Sequence, residues 1–139
     1  MGDLTLRVIT PDSIVLDTQV TAIKVPATDG SMGILPRHAH MVAALDVGEL
    51  TYTAAAGGEE SLFVSGGFVE VRANTVRVVC EASELPMQID EARATGAEER
   101  ARKRLDEGRR GTVAGFDILR AEFALKRARF RLRSSRRRV

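Results

Sequence analysis

The spacing of apolar residues changes once along the chain, near residue 85. Before that point, short stretches alternate apolar and polar positions, which is typical of strands with one buried face. Gly57-Gly58 and Ala73-Asn74 separate neighbouring stretches and predict hairpin turns. The predicted strands are residues 4–8, 21–25, 41–45, 50–53, 62–64, 68–71 and 75–79. Short strands at a spacing of roughly 8–12 residues predict an antiparallel β-sandwich, or flattened barrel.

After Pro86 the apolar residues recur every three or four positions, which predicts helices. Asp90 is a suitable N-cap for the first helix, and Glu91 lies in the first turn, where an acidic residue is favoured. The small apolar residues of this helix share one face: Ala94, Ala97, Ala101 and Leu105. Residues 108–111, Gly-Arg-Arg-Gly, are predicted to end it.

A second helix is predicted from about residue 113 to residue 134. Its apolar stripe comprises Ile118, Ala121, Leu125, Ala128 and Leu132, with Leu119, Phe123 and Phe130 beside it. Because alanine lets helices approach closely, the two helices are expected to pair as an antiparallel hairpin. A two-helix hairpin buries little area, so we expect it to be marginal unless it docks or binds a ligand. The predicted domains are a β-sandwich over residues 1–85 and a helix-turn-helix over residues 86–139.

Composition excludes several classes of protein. Of the 139 residues, 44% are hydrophobic and 29% are charged, which suits a folded, soluble domain rather than a disordered chain. Aromatic residues make up only 4%, too few for a stacking platform that binds single-stranded nucleic acid. No apolar run approaches the ~20 residues of a membrane span, and no signal peptide is visible. Any membrane association is therefore expected to come through a partner.

The charge is distributed unevenly. Residues 120–139 contain nine arginines or lysines and one acid, Glu122, whereas the first 119 residues contain 12 basic and 18 acidic side chains. A basic segment of this kind is typical of contact with an acidic partner. For the last three arginines, 136–138, a solvated helix end is the plainer interpretation.

The sequence offers no obvious catalytic or metal-binding group. Cys80 is the only cysteine, lies in an apolar run, and is expected to be a small buried hydrophobic residue. His38 and His40 have no further cysteine or histidine nearby to complete a metal site. No nucleophile–base pair or carboxylate pair stands out, so we do not expect an enzyme.

Two glycine-containing motifs carry a family resemblance. Residues 29–39 read D-G-S-M-G-I-L-P-R-H-A, and residues 64–71 read V-S-G-G-F-V-E-V. Together with the acidic link E-A-S-E at 81–84, their order closely resembles the epsilon subunit of F-type ATP synthases. The resemblance spans nearly the whole chain. His40 departs from it, because the family usually has proline there.

The resemblance implies a non-catalytic rotor subunit that requires no cofactor. Its sandwich is expected to bind the gamma subunit and the ring of membrane-embedded c subunits, coupling proton-driven ring rotation to ATP synthesis. The complex would lie at the cytoplasmic face of the cell membrane. The c-ring contact is expected in a protruding loop from Ser31 to His38, with Arg37 and His38 directed outward. Special backbone angles are expected at Gly30, Gly33, Gly66 and Gly67.

The helical half resembles epsilon subunits that bind a regulatory ATP. Residues 89–101 read I-D-E-A-R-A-T-G-A-E-E-R-A and fit the family motif I/L-D-x-x-R-A-x-x-A-x-x-R-A. Arg93 and Arg100 are seven residues apart, and Arg127 and Arg131 are four apart, so each pair shares a helix face. The folded hairpin is therefore expected to direct four guanidinium groups into one cleft, where a triphosphate would bridge them.

Three further residues, inside and just before the motif, have expected places in the same site. Ile89 begins the motif, and Glu84 and Asp90 are expected to accept hydrogen bonds from adenine or ribose. In the plainer alternative, the arginines lie on solvated helix faces and pair with three acids: Glu98, Glu99 and Glu122.

The leading hypothesis is a rotor subunit whose helices switch between folded and extended states. When extended, the basic second helix is expected to contact acidic segments of the catalytic beta subunits and block hydrolysis. ATP bound only to the folded state would shift the population away from this form. The alternative is a small nucleic-acid-binding β-domain with an arginine-rich helix, which the basic tail favours and the net acidic first 119 residues oppose.

Overall fold

The computed structural model describes residues 3–111 and 115–136. It consists of nine strands followed by two helices, so the predicted fold class is confirmed. The strands are β1 (Leu4–Ile9), β2 (Ile14–Ala27), β3 (Gly30–Ile34), β4 (Met41–Ala44), β5 (Gly48–Ala54), β6 (Glu59–Ser65), β7 (Phe68–Arg72), β8 (Thr75–Val79) and β9 (Ala82–Glu84). A 3₁₀ turn at Pro86–Gln88 leads into helices α1 (Glu91–Arg109) and α2 (Ile118–Ser135).

The strands form one hydrogen-bonded sheet in the order β4-β7-β8-β1-β2-β5-β6-β9, with β3 paired to β2. Strands β1 and β8 pair in parallel, and the other strand pairs are antiparallel. The first part of β2 pairs with β1, and its second part pairs with β3 and β5. A register shift between Val20 and Ala22 separates the two parts. This one strand therefore links the two halves of the sheet.

Alternating side chains of the strands form the core. In β1, Leu4, Leu6 and Val8 are fully buried, whereas Arg7 between them is exposed. Other strands contribute buried residues in the same way: Val20, Ile23, Val25, Ile34, Leu50, Leu62, Val64, Val69, Val71, Val76 and Val78. Burial of one such side chain stabilises the fold by about 1.5–3 kcal/mol relative to exposure. The alternation that predicted the strands thus corresponds to one enclosed apolar core.

Three strand segments were not predicted from the sequence. The first part of β2, residues 14–20, was missed, as were β3 and the three-residue strand β9. Strand β3 contains two glycines, which lack side chains and disfavour strands in isolation. It forms because its backbone pairs with β2 from Ile23 to Ala27. These segments depend on a neighbouring strand rather than on their own composition.

The two predicted hairpin turns are confirmed. Ala73 (φ 48°) and Asn74 (φ 62°) both have positive φ and join β7 to β8. Gly57 (φ 93°) and Gly58 (φ 91°) join β5 to β6. Two consecutive residues with positive φ match the right-handed twist of the flanking strands.

Both helices begin at an aspartate. Asp90 Oδ1 accepts a hydrogen bond from the backbone N–H of Arg93 at 3.0 Å, as expected for the predicted N-cap of α1. Asp117 caps α2 in the same way, through the N–H of Arg120 at 3.1 Å. The predicted start of α2 near residue 113 was wrong: residue 113 itself lies outside the described residues, and α2 begins at Ile118. The signal that sets this start is Asp117, because its side chain replaces the missing intrahelical acceptor.

The two helices pack against each other as the predicted hairpin. Their contact uses small side chains, with Ala94, Ala101, Ala121 and Ala128 each no more than 5% exposed. The start of α2 is only partly covered by described residues: Ile118 of the predicted stripe is 43% exposed, and Leu119 and Phe123 beside it are 64% and 48% exposed.

Helix α2 also docks on the sandwich. Val47, Phe63 and Ile89 form a second buried cluster, and Phe130 of α2 packs against it. The hairpin therefore gains the burial that two isolated helices would lack, which agrees with the expectation that it must dock or bind a ligand to be stable.

Candidate functional site

A cleft of about 570 Å³ lies between α1 and the edge of the sandwich. This volume falls within the roughly 300–1,000 Å³ typical of ligand sites. Its lining residues come from the turn between β1 and β2, the segment around β9, the start of α1, and one position on α2. They are Thr10, Asp12, Ser13, Glu81, Ala82, Ser83, Glu84, Gln88, Ile89, Asp90, Arg93, Ala94, Ala97, Arg100 and Arg131.

Six of the seven residues predicted for the ATP site line this cleft: Glu84, Ile89, Asp90, Arg93, Arg100 and Arg131. Arg127 is not among the lining residues, so the expectation of four guanidinium groups in one cleft is wrong for this conformation. The helical spacing placed Arg127 and Arg131 on a common face. In the docked orientation of α2, Phe130 packs against the sandwich cluster, and Arg131 is the α2 residue that lines the cleft.

Arg131 has two partners within the chain. Its Nε donates to Glu84 Oε1 at 2.7 Å, and its guanidinium carbon lies 4.7 Å from the centre of the Phe63 ring. The two charged side chains are each about one third exposed. A phosphate group would therefore have to share Arg131 with Glu84, or displace Glu84 from it.

Arg93 and Arg100 supply the free positive charge of the cleft. Within residues 3–111 and 115–136, neither forms a salt bridge. Gly96 leaves room for one of them, since an added Cβ there would lie only 3.1 Å from Arg100 Nη1. Gly96 thus costs helix propensity but gives the guanidinium group space.

The plainer alternative is matched in part. Arg93 and Arg100 both lie on exposed helix faces, as it expected. The expected pairs are different, because Glu98 pairs with Arg102 at 3.3 Å and with Arg129 at 3.7 Å, and Glu122 pairs with Arg109 at 3.7 Å. Glu98 and Glu122 are thus engaged by other arginines, and Arg93 and Arg100 remain available for an anion.

Sequence reasoning found Glu84 but missed the rest of the sandwich side of the cleft. Thr10, Asp12 and Ser13 belong to the turn before β2, and Glu81 lies just before β9. Glu81 opens the acidic link at 81–84 but was not expected to line a site. No local motif marks the turn before β2, because only the packing of the helices brings it near α1.

The expected loop from Ser31 to His38 is partly a strand. Ser31 lies in β3, opposite Pro26 of β2, and is exposed. The irregular segment begins at Leu35, whose side chain is 63% exposed. Arg37 is exposed and has a positive φ of 65°, whereas His38 is only half-buried and its Nδ1 lies 2.9 Å from the carbonyl oxygen of Ala39. Arg37 therefore points outward as expected, and His38 is partly held against its own backbone.

The β7–β8 turn holds this segment in place. The backbone N–H of Arg37 donates to Asn74 Oδ1 at 2.7 Å, and the N–H of Ala73 donates to His40 Nε2 at 3.2 Å. His40 thus holds the segment to the β7–β8 turn through its side chain. Within residues 3–111 and 115–136, no three His, Cys, Asp or Glu side chains are grouped so that they could hold a metal ion.

Three of the four glycines expected to have special angles do have positive φ: Gly30 (124°), Gly66 (65°) and Gly67 (103°). Gly33 does not, and a Cβ added there would meet nothing within 4 Å, so that expectation was wrong. At Gly67 a Cβ would lie 1.9 Å from the carbonyl oxygen of Val79, which makes glycine necessary there.

Two family models match the chain in order. The model described as the ATP synthase delta/epsilon chain beta-sandwich domain matches residues 3–86, and the model described as its long alpha-helix domain matches residues 88–135. The chain belongs to the ATP synthase delta/epsilon family. The sandwich model covers the strands and the helix model covers α1 and α2, so both halves of the fold have counterparts in the family.

Curated relatives agree with this membership. An ATP synthase epsilon chain from Symbiobacterium thermophilum is 46% identical over 136 residues, covering 97% of this chain and 94% of the relative. A second, from Halalkalibacterium halodurans, is 42% identical over 132 residues, covering 95% of this chain and 96% of the relative. The chain is thus similar to these epsilon chains over nearly their full length.

Solved structures share the fold. A chain in the Euglena gracilis mitochondrial ATP synthase (OSCP, F1 and c-ring) matches with a TM-score of 0.75 at 23% identity, covering 93% of this chain and 79% of that one. A chain in the central stalk and c-ring of the Tetrahymena thermophila enzyme matches with a TM-score of 0.54 at 18% identity, covering 97% of this chain and 95% of that one. At these identities the likeness concerns the architecture alone.

Membership in the delta/epsilon family makes the chain a non-catalytic subunit of an ATP synthase. It also favours the ATP synthase hypothesis over the nucleic-acid-binding alternative, because the family models account for the basic helix as well as the sandwich. In the described part of the chain, no helix is both long and apolar enough to cross a membrane.

Proposed function

We propose that this chain is the central-stalk subunit that links the gamma subunit to the c-ring and couples ring rotation to ATP synthesis. The observation that supports it most strongly is the ordered match of both domains to the delta/epsilon family models. In such a complex the chain would lie at the cytoplasmic face of the cell membrane and reach the membrane only through its partners.

The c-ring contact is assigned to the exposed backbone around Ser31, Arg37 and His38. Arg37 presents its charge to solvent, and its backbone is fixed by Asn74. A fixed polar segment suits repeated contact with polar loops of the c subunits, because little conformational freedom is lost on binding. The cytoplasmic loops of the c-ring would then meet β3 and the segment that follows it.

The cleft beside α1 is assigned to a regulatory ATP. Arg93 and Arg100 would bind phosphate oxygens. Arg131 would also bind phosphate, either while it keeps its pair with Glu84 or after Glu84 is displaced. Ile89 and Asp90 would lie near the base or ribose. Charge-assisted bonds from guanidinium groups to phosphate are among the stronger polar contacts in proteins. Because the chain belongs to a family of non-catalytic subunits, the ligand would act by its presence rather than by its hydrolysis.

ATP binding would favour the docked hairpin over an extended one. The cleft contains residues of the sandwich edge, α1 and α2 at once, so a ligand there binds the docked form preferentially. Once released, α2 would present its arginines and lysine to acidic segments of the catalytic beta subunits and inhibit hydrolysis. This part of the proposal concerns regulation and is separate from the rotor role.

Two experiments test these assignments. Affinity capture of the tagged full chain from membranes should recover the gamma subunit and the c-ring, and capture of neither would contradict the rotor role. Calorimetric titration of the isolated chain with MgATP should give saturable binding at millimolar nucleotide or below. If the titration gives no heat and nucleotide causes no NMR chemical-shift change, the ATP site is rejected and the rotor role remains.

A further inference from the structure

The sandwich contacts α2 along one face of the helix. Lys126, Phe130 and Arg133 are spaced by four and three residues, so their side chains project in the same direction. Lys126 Nζ lies 2.7 Å from Asp46 Oδ2, and Arg133 Nε lies 3.2 Å from Glu49 Oε1. Between the two ion pairs, Phe130 packs on the buried cluster. The helix thus presents cation, aromatic ring and cation to the sandwich.

The acidic partners lie next to each other on the sandwich, Asp46 just before β5 and Glu49 within it. Asp46 Oδ1 accepts a hydrogen bond from the backbone N–H of Val47 at 2.7 Å, and Asp46 Oδ2 faces Lys126. With the helix docked, the side chain of Glu49 is only 8% exposed, whereas that of its partner Arg133 is 66% exposed. We call Asp46, Val47 and Glu49 the acidic seat.

The hairpin's principal contacts with the strands run through α2 rather than α1. A groove of about 690 Å³, lined by all three helix residues and by Asp46 and Glu49, runs along these contacts. Both cations and Asp46 are partly exposed along this groove, so dissolved ions should screen the ion pairs.

We propose that the acidic seat controls release of α2 through charge, independently of nucleotide, so that the docked population depends on ionic strength. The two pairs differ in exposure: Lys126 and Asp46 are 39% and 33% exposed, whereas Arg133 is 66% exposed and Glu49 is 8% exposed. Removing the charge of Arg133 should weaken docking, because it takes one of the two cations of α2 away from the seat.

In the assembled enzyme the same contact would compete with acidic partner segments for α2, a consequence that rests on the function proposed above. The seat offers two carboxylates on either side of an apolar surface. A partner that captures released α2 through this face must offer similar chemistry, with acids flanking an apolar side chain.

Hydrogen exchange of α2 amides in the nucleotide-free full chain tests the proposal. Raising salt from about 0.05 M to about 1 M should speed exchange of α2 several-fold. Arg133→Gln should speed it several-fold at low salt, and the further speeding by salt should be smaller in this variant than in the unmodified chain. Arg129→Gln is the matched control: it removes the same charge from the same helix, but Arg129 pairs with Glu98 of α1 and not with the seat. This variant should leave the exchange of α2 amides nearly unchanged.

Salt-independent exchange of α2 in the unmodified chain would overturn the proposal. Equal effects of Arg129→Gln and Arg133→Gln would also overturn it, because net charge rather than the seat would then control docking. In reconstituted enzyme, Asp46→Asn/Glu49→Gln should strengthen inhibition of hydrolysis. If hydrogen exchange behaves as expected but inhibition of hydrolysis does not change, control of α2 release by the acidic seat is supported and the proposed inhibitory role of extended α2 is wrong.

Discussion

Arg131 Nε lies 2.7 Å from Glu84 Oε1, and this pair joins α2 to the last strand of the sandwich at the wall of the candidate ATP cleft. The contact links three features of the molecule: docking of the hairpin, the charge of the cleft, and the stacking of Arg131 on Phe63. A ligand that engages Arg131 therefore acts on the docked state directly.

The arginines of the cleft should differ in their effect on ATP affinity. Arg93→Ala and Arg100→Ala are each expected to weaken binding at least tenfold, because a charged hydrogen bond contributes about 1.5–3 kcal/mol. Arg127→Ala should weaken it by less, since Arg127 does not line the cleft. Calorimetry on the three variants measures their ATP affinities. If Arg127→Ala weakens ATP binding as much as Arg93→Ala does, α2 must rotate when ATP binds.

Glycine should be required at residue 67 and dispensable at residue 33. Gly67→Ala is expected to destabilise the fold by about 2 kcal/mol or more, because its φ is positive and the new Cβ would collide with the Val79 carbonyl. Gly33→Ala should change the free energy of unfolding by less than about 1 kcal/mol, in the stabilising direction. Urea unfolding compares the two, and similar losses would contradict the backbone argument.

The single tyrosine offers a direct titration. Burial, together with the hydrogen bond to Glu60 at 2.8 Å and the charge of that carboxylate, raises the pKa of Tyr52 to about 12 from its ordinary value of 10.0. The unfolded chain therefore loses this proton first, so the contribution of Tyr52 to stability is complete below pH 10 and is lost as pH rises toward 12.

Absorbance at the tyrosinate wavelength follows this ionisation without interference, because the chain has one tyrosine and no tryptophan. Glu60→Gln should move the midpoint down while leaving it above 10.0, since burial persists. An unshifted midpoint in the folded unmodified protein would show that Tyr52 is open to solvent.

The sandwich is expected to fold without the helices. A chain that ends after Met87 keeps the whole strand core but uncovers Phe63 and Val47, which α2 otherwise helps to bury. We expect circular dichroism to report a cooperative β-fold with a lower melting temperature, and capture assays to show retained gamma binding. The shortened chain could aggregate through the uncovered Phe63 alone, so Phe63→Thr in the same chain serves as a control with less exposed apolar surface. If the shortened chain is unfolded even with this change, the two-domain prediction is wrong.

The sequence by itself determined the class of the fold and the family. The spacing of apolar residues follows from which face of each strand or helix is buried. It can therefore be read from residues such as Leu4, Leu6 and Val8 before the neighbouring elements are known. The cap at Asp90 and the hairpin turn at Ala73-Asn74 are equally local, because each satisfies its backbone within a few residues.

Only the tertiary structure decided which charges meet. Strand β3 exists because β2 pairs with it, and the positive φ expected at Gly33 is unnecessary in that pairing. Arg127 and Arg131 share a helix face by spacing, yet Phe130 anchors α2 so that Arg131 alone reaches the cleft and Glu84. Spacing along a helix fixes the relative directions of side chains, but the rotation of that helix on the sandwich depends on distant residues that no local pattern encodes.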